Sequence, residues 1–415
     1  MRPSPSAGAE DAGATVRSCD IICTMSRKPR TIALITSALG CHSRAFCEGA
    51  ADYIRYRCGW SVRLILREDI RSAAMLRAYD GMIVREIRKR EYEILESCGK
   101  PVVEAAVKGT GSPRFASVDC DEKALAGLAA RHFLSRGFTF LAFCGYRGVA
   151  FSDVRERHFT AAVRAAGRTV RCFPEEEGRF AEKLIEEAEP DEESFVRWVL
   201  GLPKGTGVFC ANDVLAHQLL AVCMANRIKV PHDLSILGAD DDFLLCNINN
   251  PSLSSISLNA NGIGAGAARL LARILDGGVK GDIGRVHEVV PPGRLRVRNS
   301  TEVYRMGPAW LSDALVYIDR NAAKVSASDV YRFVKRSHTA VDAAFSEIVG
   351  TTVQKRILSV RMEEAKRLLE DETISIAHIA ETLGFPSAQY FSSTFKLHFN
   401  ATPAAYRRAH VRGEM

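Results

Sequence analysis

Residues Thr373–Arg408, TISIAHIAETLGFPSAQYFSSTFKLHFNATPAAYRR, decide how the C-terminal part of this 415-residue chain folds. Ile376, Ile379, Ala380 and Leu383 recur at helical spacing and give one buried stripe. Ser375 stands where a cap is wanted, and Gly384 where a helix stop favours a residue with positive φ. Pro386 forbids continuation, so a second helix starts near Ser387. On it Tyr390, Phe391, Thr394 and Phe395 are expected to pack, leaving Gln389, Ser393 and Lys396 facing outward. Two short helices joined by a tight turn make a helix-turn-helix, whose second member is shaped to enter a DNA major groove. Thr402–Pro403 then opens a third helix, with Thr at the cap and Pro at the first helical position.

Ile379-Ala380, Leu383-Gly384-Phe385, Tyr390-Phe391, Phe395-Lys396, Thr402-Pro403 and Tyr406-Arg407 follow one another in a fixed order. In that order the segment resembles the second helix-turn-helix of the AraC family of transcription regulators. Gln389 suits a bidentate pair with an adenine edge and Lys396 a phosphate, while Ser387 and Ser393 suit either. Tyr390 joins these as a DNA contact. Arg407 and Arg408 lie beyond the groove-entering helix and read as phosphate contacts or helix-end charges.

The resemblance implies an all-α DNA-binding domain over 309–412 with two such motifs. A helix runs from Trp310 to about Asn321, the first motif occupies about 328–348, a connecting helix 353–370, and the second motif about 375–398. A connector of 17 residues from Val353 to Leu369 spans about 25 Å. That length could set two recognition helices into successive major-groove faces about 34 Å apart. The first motif is degenerate: Tyr331 replaces a small residue, Lys335 a turn glycine, and Ala343-Ala344 the usual basic residues. His338, Thr339 and Asp342 remain its candidate DNA contacts, each equally well placed to be a cap or a solvated residue.

The front of the chain alternates short apolar runs with amphipathic stretches. Strands are expected at Thr31–Thr36, Val62–Leu66, Gly81–Val84, Pro101–Val103, Phe115–Val118, Thr139–Cys144, Val170–Phe173, Gly207–Cys210 and Leu234–Leu237. Ser43–Tyr56, Lys123–Ser135, Val154–Ala166 and Val214–Asn226 are helical between them. Alternation of this kind makes parallel sheets from βαβ units, and so many strands suit two doubly wound lobes. Polar residues follow the apolar runs directly: Arg67-Glu68-Asp69, Arg85-Glu86, Glu104, Asp119, Asn212-Asp213 and Asp240-Asp241-Asp242. Ligands of open α/β sheets bind beyond the C-terminal strand ends, and carboxylates with arginines suit the adjacent hydroxyls of a sugar.

Val208 to Asp242, VFCANDVLAHQLLAVCMANRIKVPHDLSILGADDD, resembles the effector domain of LacI-type regulators and of sugar-binding periplasmic proteins. Asn212-Asp213, Val230-Pro231, Leu234–Gly238 and Asp240 carry that resemblance, and Phe151–Phe159 places Arg155 at the family's ligand arginine, with His158 in place of a glycine. Pro251–Asp276 resembles the returning hinge strand, Leu253–Leu258, and its helix. The implied fold is a two-lobed periplasmic-binding-protein-like domain with parallel sheets over 30–290, ahead of the all-α tail. Arg155, Asp213 and Asp240 are the implied ligand contacts, and Asp119 and Glu68 at strand ends, with Arg44, are expected to join them. Pro291-Pro292-Gly293 and the basic Arg294–Asn299 read as a linker, 291–308. A known group of AraC-type regulators of sugar catabolism joins these two parts, and the similarity runs from about Thr31 to Arg408. It implies a DNA partner, a monosaccharide effector, contact with RNA polymerase, a homodimer and a cytoplasmic location.

Composition agrees. The chain is 47% hydrophobic and 25% charged, with a net charge of +7, which is compatible with DNA binding without demanding it. No apolar run approaches the roughly 20 residues of a membrane helix. Twelve cysteines, scattered from Cys19 to Cys246 without a C-x-x-C pair, argue against a disulfide framework or a zinc site. No nucleophile elbow, H-E-x-x-H or phosphate loop is present, so no catalytic residue, metal or cofactor is assigned. Residues 1–29 are rich in Ala, Gly, Ser and Pro and are expected to be a disordered leader, with Met25 the natural start.

Overall fold

The computed structural model describes residues 30–37, 40–106, 111–173, 192–279 and 281–412. The expected leader and Met25 lie outside them. Two six-stranded sheets form the front two-thirds of the chain. The first contains β1 (Thr31–Thr36), β2 (Ser61–Leu66), β3 (Gly81–Arg85), β4 (Val102–Ala105), β5 (Ala116–Cys120) and β11 (His287–Val290), in the order β11-β5-β4-β3-β1-β2. The second contains β6 (Leu141–Cys144), β7 (Val170–Phe173), β8 (Thr206–Cys210), β9 (Leu234–Ala239), β10 (Ser254–Ile256) and β12 (Leu295–Arg296), in the order β12-β10-β9-β8-β6-β7. Neighbours pair in parallel except β12, which runs antiparallel to β10. Near-continuous burial of β1, β3, β8 and β9 is what sheets covered on both faces require.

In the first lobe the helices Cys41–Tyr53 and Ala260–Leu275 pack backbone to backbone. A Cβ on Gly49 would lie 2.0 Å from the carbonyl oxygen of Asn261, and one on Gly264 equally close to that of Phe46. Only glycine permits that approach. Among the described residues the chain passes between lobes after β5, after β10 and after β11. The mouth between the sheets therefore lies at the C-terminal ends of their strands, where the sequence placed its polar residues.

Two strands were not foreseen, and one of them corrects the linker. Leu295–Arg296 pairs with β10, Ser300 and Thr301 are buried, and Val303 belongs to the hydrophobic core that runs through the two lobes. The stretch 294–303 is thus part of the second lobe's fold. It is basic because its arginines are paired: Arg296 and Arg298 lie 2.9 and 2.8 Å from the Asp241 carboxylate.

The tail is all-α: Ala309–Asn321, Ala327–Val334, His338–Ala344 widening into Phe345–Val349, Val353–Leu369, Ile376–Thr382, Ala388–Phe399 and Pro403–Arg412. The connecting helix Val353–Leu369 serves two cores. Its Val353 and Ile357 join Leu311, Leu315, Ile318, Val330, Val341 and Phe345 around the first motif. Met362, Ala365 and Leu369 join Ile379, Leu383, Phe391 and Phe395 around the second. Ser375 accepts from His378 N at 3.1 Å, and Gly384 ends that helix at φ 70°. Lys335 takes the same left-handed conformation in the degenerate motif, at φ 51°, so the turn survives without its glycine. No helix among the described residues is long and apolar enough to cross a membrane.

Candidate functional site

The interlobe cleft is built on the helix Glu122–Ser135, which leaves the first lobe after β5 and packs in the second. Asp121 caps it by accepting from Ala124 N at 2.9 Å, and this fixes Glu122 at the base of the cleft. Arg155, 1% exposed, donates from Nε and Nη2 to the two oxygens of Glu122 at 2.7 and 2.5 Å. Its third arm reaches the carbonyl of Ala211, and its guanidinium lies 5.3 Å over the Phe151 ring. A buried bidentate pair with a further carbonyl partner is a fixed platform.

Charged and polar groups from both lobes face one another above it. Burial pushes the Asp119 carboxyl up to about 6; Glu122 adds to the rise, while Arg85 and Arg155 oppose it. Burial likewise pushes Asp240 up to about 7 against the pull of Arg155 and Arg85. Arg85 ends β3 in the first lobe and Asp240 follows β9 in the second, so each acts across the mouth. His42, on the first-lobe helix Cys41–Tyr53, is held neutral by burial and by the same two arginines, and its Nε2 has no hydrogen-bond partner. The arrangement offers acceptors at Asp119 and Asp240, donors at Arg85, and at His42 a ring nitrogen that donates or accepts according to its tautomer, to a ligand rich in hydroxyls.

Asp213 lies beside Asp240, whose charge adds to the rise in its pKa, but its own carboxylate is taken. It is 0% exposed and accepts from Asp242 N at 2.8 Å, Ser255 Oγ at 2.6 Å and Cys246 Sγ at 3.5 Å. Burial pushes it well up, and these bonds hold the loop after β9 in place. That loop carries two left-handed non-glycine residues, Asp240 at φ 121° and Asp241 at φ 56°. Backbone strain of this kind, of order 1–3 kcal/mol per residue, persists where the surroundings enforce it. Arg44 is exposed on its helix and Glu68 is paired with the neighbouring Arg67 at 3.2 Å; the structure does not gather either with the cleft cluster. Arg85, Glu122 and His42 were the residues the sequence reading did not select. Arg85 had the strand-end signal, whereas Glu122 and His42 carried none.

On the helix Ala388–Phe399, Gln389, Ser393 and Lys396 are exposed. Tyr390, expected to pack, is 57% exposed and stands with them, because Phe391 and Phe395 fill the buried seats. Leu397, 89% exposed, extends the same face and was missed, although its spacing of eight from Gln389 is helical. Ser387 is exposed but caps the helix, accepting from Tyr390 N at 3.1 Å. In the first motif Thr339 is exposed, while the His338 ring stacks 4.1 Å from Tyr331, whose hydroxyl donates to Asp342 at 2.8 Å. Two of the three expected base readers there are therefore engaged within the motif. Arg407 donates to the carbonyls of Leu369 and Ile374 at 3.1 and 2.7 Å, tying the third helix to the end of the connector.

Comparison with known proteins places both parts. A periplasmic binding protein-like domain matches residues 130–301, and a helix-turn-helix domain matches residues 332–409. The xylose operon regulatory protein of Haemophilus influenzae is 27% identical over 92% of this chain and 99% of its own length. That of Escherichia coli K12 is 28% identical over 92% and 98%. A solved structure of the xylose-binding transcription activator xylR, 27% identical, superposes with a TM-score of 0.56 over 92% of this chain and 98% of that one. These full-length relatives are regulators rather than enzymes. The chain thus joins a periplasmic-binding-protein-like domain to a C-terminal helix-turn-helix domain, the organisation of a DNA-binding transcription regulator, and over nearly its whole length it is similar to these xylose operon regulators.

Proposed function

We propose that this regulator is controlled by a neutral monosaccharide, of which D-xylose is the first to try, and that it activates sugar-catabolic genes. The carrying observation is the cross-cleft convergence of Asp119, Arg85 and His42 from one lobe with Asp240 and the Arg155–Glu122 pair from the other. Formally two cations face three carboxylates there, which leaves no surplus positive charge for an anionic ligand. The names of the relatives point to the same ligand class. Asp119, Asp240, Arg85 and His42 contact the sugar; Arg155 supports them from below, and Asp213 holds the Asp240 loop.

A ligand that bridges both lobes favours the closed state over the open one by its differential affinity, and that difference is what reorients the tail. Gln389, Tyr390, Ser393 and Lys396 contact DNA, with Ser387 as cap, while the first motif contributes little to base reading through His338, Thr339 and Asp342. The protein works in the cytoplasm as a homodimer on paired half-sites and engages RNA polymerase. Residues 30–303 form the effector unit and 304–412 the DNA-binding unit.

The test is calorimetric titration of the full-length chain with a panel of pentoses and hexoses. At least one monosaccharide is expected to bind, and Asp240→Ala to abolish it. No binding by any member of the panel would refute the proposal.

A further inference from the structure

The end of the effector unit and the start of the tail are both anchored on the second lobe, the first through Ser300 and Thr301 and the second through Arg305. Ser300 Oγ donates to Ile236 O at 2.6 Å and accepts from Ser254 N at 2.8 Å. Thr301 Oγ1 donates to Ser254 Oγ at 2.8 Å. Arg305 N donates to Arg136 O at 2.6 Å, and its guanidinium donates to Pro231 O at 3.0 Å and lies 5.5 Å over Phe138. All of these partners belong to the second lobe.

Between them, Tyr304 belongs to the core of the tail's first motif and meets the second lobe at Arg136. Its ring lies 4.5 Å from the guanidinium of Arg136 and 5.8 Å from that of Arg356 on the connecting helix. Its hydroxyl donates to Asp319 at 2.7 Å, and Arg356 donates to both Tyr304 and Asp319 at 2.7 Å. Arg136 closes the set, 3.7 Å from Asp319. A planar guanidinium stacked on an aromatic ring beside a shared carboxylate defines an orientation in a way a lone ion pair does not.

Arg136 is also the residue that ends the helix Glu122–Ser135. The other end of that helix holds Arg155 through Glu122. One rigid element of 14 residues, about 21 Å long, thus runs from the cleft platform to the junction.

We infer that Arg136, Tyr304, Asp319 and Arg356 form a rigid joint that makes the DNA-binding half move as one body with the second lobe, with Arg136 as its positioning residue. Closing the cleft then re-aims the groove-reading helices relative to the first lobe, because no slack separates lobe from tail. The inference rests on the sugar-control reading above.

The test uses full-length protein, D-xylose, and a duplex that the unsubstituted chain has selected from random sequence. Sugar affinity is measured by calorimetry, and DNA affinity by fluorescence anisotropy with and without sugar. In the unsubstituted chain sugar raises DNA affinity at least about fivefold, the low end of ordinary coupling. Arg136→Met is expected to keep sugar affinity within about twofold and to reduce that gain to below about twofold. Arg136→Lys restores part of the gain. Tyr304→Phe, which removes only the hydroxyl, lowers it and decides the matter if Arg136→Met does not fold. A full gain in both Arg136→Met and Tyr304→Phe overturns the inference, as does a loss of DNA affinity equal with and without sugar. An unsubstituted chain that binds D-xylose without any gain overturns the sugar-control reading itself, and the joint with it.

Discussion

Raising the pH from about 6 to about 8 should tighten monosaccharide binding by up to about twentyfold, with the cleft carboxyls as the cause. Burial holds Asp240 up to about 7, so about one molecule in ten carries its carboxylate at pH 6 and about nine in ten at pH 8. Asp119, raised to about 6, adds at most about another factor of two over the same range. A sugar hydroxyl donates more strongly to a carboxylate than to a protonated acid, so the ligand favours the ionised forms and expels protons on binding. The sign in the free protein is the reverse. A carboxyl whose folded pKa is raised contributes stability that is fully present below its unfolded value of 3.8 and is lost as pH rises through the folded one, here between about pH 4 and 7. The unliganded protein should therefore lose stability over that window while the stabilisation given by sugar grows. Calorimetry at three pH values, in buffers of contrasting ionisation enthalpy, reads both affinity and proton release. Affinity that is flat or tighter at low pH, with no proton release near pH 6, would refute the assignment of Asp119 and Asp240.

Glu122→Ala strands Arg155 without its buried partner and is expected to cost about 3–5 kcal/mol in a urea titration, against well under 1 for an exposed control such as Glu381→Ala. Lys335→Gly relieves a left-handed residue and should raise stability by up to about 1 kcal/mol, whereas a loss would show that the Lys335 side chain has another task. Gln389→Ala should flatten base preference in a selection from random duplexes. Lys396→Ala should weaken all sequences alike and make the salt dependence shallower by about one phosphate contact; identical effects of the two substitutions would contradict that division.

Much of this architecture could be read from the chain because its signals are local. The apolar runs at Thr31–Thr36 and Val170–Phe173 become β1 and β7 with the expected bounds, and Val353–Leu369 is the connecting helix throughout. Strands β11 and β12 escaped notice because they are short, mix polar with apolar residues, and owe their existence to partners far away in sequence. For the same reason the basic run after Pro291 looked like a linker: nothing nearby announces that Asp241 will take up Arg296 and Arg298. Polar strand ends indicated where the cleft lies, but not which carboxylates are spent within the protein. Asp213 has the same local signal as Asp240, yet Ser255 and the amide of Asp242 occupy it. Tyr390 sat at the boundary between the two helix faces, and only the packing of Phe391 and Phe395 settles which side it takes.

The most direct measurement is the affinity of the full-length chain for its selected duplex, at fixed salt, with and without saturating monosaccharide. Binding that tightens at least about fivefold with sugar, and no longer responds in Asp240→Ala, is the predicted result. Equal DNA affinity in both conditions, while calorimetry shows the cleft occupied, would contradict the claim that cleft occupancy governs how the tail grips DNA.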